Sequence, residues 1–253
     1  MLADYNLNKK IVVITGSSRG IGSSIAKQFA LHGSRIVITY LNSKAEALKT
    51  EKSLNIGSTE SLVVQCDITD PISVDNLVKQ VKAKFKRIDI LINNAGAVFE
   101  PANWSEISNS NWNKTISANL TGTFNCIQKI APGMIKQKFG KIINISSTAS
   151  FCPSAHAIAY SAAKAGVISL TQAFAKEFAP YINVNSVAPG WTDTDWHHDK
   201  NKDFFDKVKS IVPFGRLAKT DEIASAVVFL SSNQANFITG QTIMVDGGAS
   251  LKK

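Results

Sequence analysis

The chain has 253 residues, 44% of them hydrophobic and 19% charged, and its 28 Lys and Arg outnumber 19 Asp and Glu for a formal charge of +9. That balance excludes a disordered chain or a coiled coil, and a single domain of this length buries roughly three quarters of the surface its unfolded form exposes. The opening MLADYNLNKK lacks a long apolar run, and no later stretch approaches the ~20 residues of a membrane span, so a soluble, cytoplasmic protein with no membrane partner is expected.

The excess positive charge attracts acidic partners over long range. No nucleic-acid-binding motif or interleaved aromatic pattern accompanies it, and no nucleic-acid partner is expected. The cysteines Cys66, Cys126 and Cys152 form no CxxC pair, and the four histidines show no metal-ligand spacing. The doublet His197-His198, between Asp195 and Asp199, reads as part of a solvated lid, and no metal is expected.

In chain order, strands are expected at 11–15, 35–40, 62–66, 88–92, 141–146, 182–187 and 241–245. Their β-branched, nearly continuous apolar runs are those of parallel strands covered on both faces. Helices are expected between them at 21–31, 44–54, 74–85, 112–137, 159–178 and 221–230. This alternation predicts a single α/β domain over residues 1–253, a Rossmann-type doubly wound parallel sheet with helices on both faces. One long polar and aromatic interruption, 191–219, follows a strand. Ligands bind beyond the carboxyl ends of such strands, so this segment is the expected lid.

The first strand runs into Thr15-Gly16-Ser17-Ser18-Arg19-Gly20-Ile21-Gly22, after which a helix begins. Glycines permit the tight turn and let a pyrophosphate approach the backbone, and the helix N-terminus offers free N–H groups to the phosphates. Gly16, Ser18, Arg19, Gly20, Ile21 and Gly22 are therefore candidate cofactor residues. An NAD site usually places an acid at the end of the second strand, on the ribose hydroxyls. Here that region reads Tyr40-Leu41-Asn42-Ser43, without one, while Arg19 offers a cation to a 2′-phosphate. NADP(H) is expected ahead of NAD(H), with Tyr40, Asn42 and Ser43 at its adenosine end. Asp67, with Ile68, is placed to meet the adenine amino group or to cap the next turn. Asn94, Ala95 and Gly96 end the fourth strand with small groups that let a ribose pass close.

Tyr160 and Lys164 lie four apart in a helical segment and so share one face. A nearby ammonium favours the phenolate, so Lys164 is expected to poise Tyr160 for proton transfer. A serine at the end of the fifth strand, Ser146 or Ser147, can donate to a carbonyl oxygen as charge develops on it. Asn119, a polar amide among apolar neighbours, needs a buried partner, either a structural bond or a water.

With these residues in view, the chain resembles the short-chain dehydrogenase/reductase family over nearly its whole length. TGSSRGIG, CD, NNAG, Asn119, SS, YSAAK, NSVAPG and ITGQTIMVDGG fall in the family's order. The resemblance implies hydride transfer between a nicotinamide and a carbonyl or secondary alcohol in a homotetramer. The family's catalytic serine precedes the tyrosine by thirteen residues, which selects Ser147 and leaves Ser146 as its neighbour. Tyr160 then exchanges the proton, Lys164 holds the nicotinamide ribose and lowers the phenol's pKa, and Asn119 anchors a water. Pro189, Gly190, Thr192 and Thr194 match the segment that holds the nicotinamide. The loops at 97–105, 148–159 and 191–211 shape the substrate pocket, with Ser147, Tyr160 and Trp191 as substrate-facing residues.

Within the family the chain is most similar to bacterial 3-oxoacyl-acyl-carrier-protein reductases, in the loop arginine, the missing acid and the APGWTDTD segment. The resemblance makes an acyl-carrier protein a candidate partner, bound by basic residues near the active-site mouth. Lys138 matches one such position. The second falls on Tyr181, which is not basic, and the stretch before Asn183 is one residue shorter than the usual GIRVN pattern. A small-molecule carbonyl substrate, as a free ketone, aldehyde or sugar, is the alternative.

Overall fold

The computed structural model describes residues 5–54, 59–195 and 201–251. Seven strands, β1 (Ile11–Ile14), β2 (Arg35–Tyr40), β3 (Ser61–Gln65), β4 (Ile90–Asn93), β5 (Gly140–Ile145), β6 (Ile182–Pro189) and β7 (Thr242–Val245), form one sheet in the order 3-2-1-4-5-6-7. Every pairing is parallel. The helices are α1 (Gly20–Leu31), α2 (Lys44–Ser53), α3 (Pro71–Phe85), α4 (Asn109–Ile116), α5 (Gly122–Lys136), α6 (Ile158–Phe178), α7 (Lys202–Ile211) and α8 (Thr220–Ser231).

The continuous apolar runs have the predicted consequence. Val12 and Ile14 of β1 pack with α1, α2 and α8 on one face, while Ile11 and Val13 pack with α3 and α5 on the other. Both faces are thereby removed from water, as an all-parallel sheet requires. β6 runs past the expected end at Val187 because Ala188 and Pro189 pair with Met244 and Val245 of β7.

Two helical expectations need correction. The single helix predicted over 112–137 is three pieces: α4, a π-helical turn at Ser117–Thr121, and α5. Asn119 is the local cause, because its Nδ2 donates to the carbonyls of Thr115 (2.8 Å) and Ala97 (2.6 Å). The side chain thus competes for the carbonyl that an α-helical amide at the same position would use. The second correction lies in the 191–219 interruption, where α7 forms although no helix is expected. Asn201 caps it by accepting from the Phe204 amide (3.0 Å), and Val208 is buried beneath it. His197 and His198, read as lid residues, lie outside the described residues.

Among the described residues no helix is long and apolar enough to cross a membrane. Phe29, fully buried, anchors α1 and hence the glycine turn to the core. Phe29→Ala is expected to cost about 3–5 kcal/mol of stability, as phenylalanine truncations in cores do, read as a lowered midpoint in urea unfolding.

Candidate active site

The strand order reverses between β1 and β4, and there the carboxyl ends of the strands open into a cleft of about 1230 Å³. That exceeds the usual 300–1,000 Å³ of a small-ligand pocket, enough for a dinucleotide and a substrate together. Its walls include every residue predicted to contact cofactor or substrate.

The glycine turn is held from behind. Thr15 Oγ1 accepts from the amides of Asn94 (2.9 Å) and Ala95 (3.0 Å), and Asn94 Nδ2 donates back to the carbonyls of Thr15 (2.9 Å) and Gly16 (3.0 Å). Gly16 has φ +61°, and a Cβ there would lie 2.9 Å from Ala95 Cα. At Gly22 a Cβ would lie 2.6 Å from both the Gly16 carbonyl and Asn94 Nδ2. These two glycines therefore serve protein packing. Gly20 is the one that opens on the cleft, with only the Thr194 side chain within 4 Å of where its Cβ would be. Arg19 is extended and exposed beside it, and the first turn of α1 carries no acid to oppose an anion. An open helix N-terminus with a free-standing guanidinium fits a dinucleotide's phosphates.

At the adenosine end, Tyr40, Asn42 and Ser43 follow β2 into the cleft wall. Asp67 Oδ1 accepts from the amide (2.8 Å) and hydroxyl (2.7 Å) of Thr69, so the turn-capping alternative is realised. Asp67 also lines the cleft. Ile68 is buried against Gly122, where a Cβ would lie 2.5 Å from it.

At the other end, Tyr160 sits in the first turn of α6 with Lys164 one turn on. The Ser147 hydroxyl, at the carboxyl end of β5, lines the same cleft as the Tyr160 phenol and acts on it as a hydrogen-bonding neighbour. Ser146 also borders the cleft, but it is buried and its hydroxyl is engaged, accepting from Ser186 Oγ (2.9 Å) and donating to the Val187 carbonyl (3.3 Å). Tertiary contacts thus separate the two serines that strand position alone leaves equivalent. Lys164 Nζ is buried, donates to the Ile145 carbonyl (2.8 Å) and lies 5.6 Å from the Tyr160 ring centre.

The electrostatics depart from expectation. Burial pushes the Tyr160 phenol above its ordinary value, and the Ser147 hydrogen bond pulls the other way. Burial also brings the Lys164 ammonium down to about 8. Desolvation disfavours both charged forms, and a lysine weakened in this way does not outweigh it. Burial thus holds the phenol in its protonated form, without the lowering expected from Lys164.

Asn119 is fully buried, and its Oδ1 has no hydrogen-bond partner among the described residues. A Cβ on Gly96 would lie 2.4 Å from that oxygen and 3.5 Å from Lys164 Nζ, so acceptor and ammonium face one another across the glycine. The structural-bond alternative for Asn119 is realised by its Nδ2, and its Oδ1 lies on the side of the lysine. Pro189, Gly190, Thr192 and Thr194 form the far wall, where Gly190 N donates to the Val245 carbonyl (3.0 Å) and Thr192 bridges to Ala218. Trp191 is exposed at the mouth and meets Phe204 of α7 edge-on at 5.4 Å.

Lys138 does not stand at this mouth. It precedes β5, at the amino edge of the sheet, where its ammonium lies 6.0 Å from the Tyr181 ring. The cleft lies beyond the opposite ends of the strands, so within one chain the expected position is overturned. Two contributors escape sequence reading: Thr15, which clamps β1 to β4, and Glu100, which bonds the first amides of α6. The latter has a faint signal, since α6 lacks a capping side chain of its own at Ala157.

The comparisons with known proteins follow this geometry. A family model described as "Enoyl-(Acyl carrier protein) reductase" matches residues 16–250. The 3-oxoacyl-[acyl-carrier-protein] reductase FabG of Staphylococcus epidermidis is 38% identical over 240 residues, 94% of this chain and 98% of that protein. The 3-oxoacyl-[acyl-carrier-protein] reductase of Synechocystis sp. is 37% identical over 96% of this chain and 97% of its own. Among solved structures, gox2181 superposes with a TM-score of 0.94 at 30% identity, over 98% of both chains. A candidate gluconate dehydrogenase from Agrobacterium tumefaciens does so with 0.94 at 32%, over 98% of this chain and 99% of its own. The chain belongs to the short-chain dehydrogenase/reductase family, oxidoreductases that act on CH–OH and C=O groups with NAD(P).

Proposed function

We propose that the protein is an NADP(H)-dependent reductase of 3-oxoacyl groups, taken as thioesters of the kind an acyl-carrier protein presents. The observation that carries the chemistry is the meeting of Ser147, Tyr160 and buried Lys164 on one wall of a cleft sized for a dinucleotide and a substrate. NADPH, when bound, supplies the hydride to the carbonyl carbon. Tyr160, kept protonated by burial, delivers its proton to the carbonyl oxygen, so that ketone, hydride and proton sum to a secondary alcohol. Ser147 donates a hydrogen bond to the same oxygen as it gains charge. Lys164 stabilises the phenolate left behind and offers its ammonium to the nicotinamide ribose. Asn119 Oδ1 accepts from a water on the lysine, the path by which Tyr160 regains its proton.

The preference for NADP(H) rests on Arg19 at the cleft and on the absence of an acid in Tyr40-Leu41-Asn42-Ser43. The choice of substrate rests on the named activity of relatives near 38% identity. A second reading, reduction of free ketones, aldehydes or sugars, is favoured by the far-side position of Lys138 and by the likeness to a candidate gluconate dehydrogenase. We read the 191–219 segment, with Trp191 against Phe204, as a lid. A homotetramer would cover two apolar faces: Phe124, Phe174 and Phe178 in a stack on α5 and α6, and Phe237 with Met244 near the β7 edge. Two different self-complementary faces on one chain build a tetramer with two-fold axes.

Oxidation of NADPH and of NADH, followed at 340 nm against acetoacetyl thioesters, simple ketones and sugar aldehydes, tests the reading. Thioester turnover with NADPH is expected to dominate, and turnover of sugars alone would establish the second reading. Tyr160→Phe is expected to fold and bind NADPH while losing about 10²- to 10⁴-fold in kcat, the range for a lost general acid. Normal turnover in that variant removes Tyr160 from the mechanism. Arg19→Ala is expected to raise KM for NADPH about 10- to 100-fold, the equivalent of a lost charge-assisted hydrogen bond, and to leave KM for NADH nearly unchanged.

A further inference from the structure

Helix α6 begins at Ile158 with Ala157 in the cap position, and no acidic residue stands in its first turn. Its first internal bond runs from the Ser161 amide to the Ala157 carbonyl (2.9 Å), so the amides before it need partners from elsewhere. Glu100 supplies two of them. Its Oε2 accepts from the Ala159 amide (2.9 Å) and its Oε1 from the Tyr160 amide (2.8 Å), across about sixty residues of sequence. A carboxylate there also meets the positive end of the helix dipole.

The segment that carries Glu100 is tied down at its other end. The Ala97 carbonyl accepts from Asn119 Nδ2 (2.6 Å), the Phe99 amide donates to Thr115 Oγ1 (3.1 Å), and the Phe99 carbonyl accepts from Asn111 Nδ2 (2.8 Å). Residues 97–100 therefore form a strap from α4 and the π-helical turn to the backbone of Tyr160 itself. Tyr160 is only the third residue of α6, within the turn that frays first when a helix loses its cap.

We infer that Glu100 is a positioning residue for the reaction: by bonding the amides of Ala159 and Tyr160 from the loop after β4, it holds the Tyr160 phenol in register with Ser147 and Asn119. The inference rests on Tyr160 being the proton donor. Glu100 acts through Tyr160, and its carboxylate, engaged with two amides, takes no part in proton transfer.

The test compares Glu100→Ala and Glu100→Gln with the parent protein, each in the wild-type and the Tyr160→Phe background. Kinetics with NADPH and acetoacetyl thioester, NADPH affinity by fluorescence, and amide hydrogen exchange across α6 are measured. Glu100→Ala is expected to lower kcat about 10-fold or more, within the range that small misplacements of a catalytic group produce. KM for NADPH is expected to stay within about two-fold, and Glu100→Gln, with one acceptor oxygen left, to recover part of kcat. In the Tyr160→Phe background the same change is expected to cost little further, because the group it positions is gone. Unchanged kcat in Glu100→Ala, or an equal fractional loss in both backgrounds, overturns the inference. Should Glu100→Ala fail to fold, Glu100→Gln carries the same comparison.

Amide exchange separates this inference from the functional reading. If the wild-type protein reduces no carbonyl offered, the proposed function fails. The strap itself is still tested: fast exchange at Ala159 and Tyr160 in the variant, with residues 167–178 still protected, supports it, and unaltered protection at both amides overturns it.

Discussion

The Thr15 hydroxyl, accepting from the Asn94 and Ala95 amides while Asn94 Nδ2 returns two bonds to the glycine turn, ties the exit of β1 to the exit of β4. That junction is where the strand order reverses, so the crevice between the two halves of the sheet opens directly beside it. Its tightness explains why two of the three glycines face protein. Gly16 and Gly22 let the two loops close on one another, and Gly20 is left open toward the cleft. A side chain at either packing position would push the loops apart and displace the N-terminus of α1 from the cleft.

The catalytic end is governed by burial. Tyr160 and Lys164 sit in a dry wall of the cleft, and desolvation drives the phenol up and the ammonium down, each toward its neutral form. A protonated phenol is the form that a reduction consumes, and an ammonium near 8 keeps its charge at neutral pH. In the proposed reduction the pair delivers a proton, with Ser147 beside the phenol to share in stabilising the charge that follows. Asn119 completes the wall by spending its amide nitrogen on backbone carbonyls and keeping an unpartnered oxygen toward Lys164.

Several supports of this arrangement come from far along the chain. The π-helical turn at 117–121 exists because Asn119 takes carbonyls that a regular helix would use, and the same bond to Ala97 anchors the loop from which Glu100 reaches α6. Lys138, by contrast, is carried to the opposite edge of the sheet by its place before β5. A basic residue there is remote from the cleft of its own chain.

The alternation of β-branched runs with helical periods, the glycine turn after the first strand and the thirteen-residue spacing from Ser147 to Tyr160 are local properties of the chain. The first two pointed to the fold class and the cofactor class by themselves, while the spacing singles out Ser147 only through the resemblance to a known family. Only the tertiary structure showed how the two serines differ, since the Ser146 hydroxyl is engaged with Ser186 and Val187 while Ser147 stands beside Tyr160. It alone decided the sign of the phenol's shift, because desolvation depends on the walls around a group while the i, i+4 spacing reports only its distance from one charge. The cap on α6 and the break at Asn119 were likewise set by partners distant in sequence, and a pairing across sixty residues leaves no periodic trace in the chain.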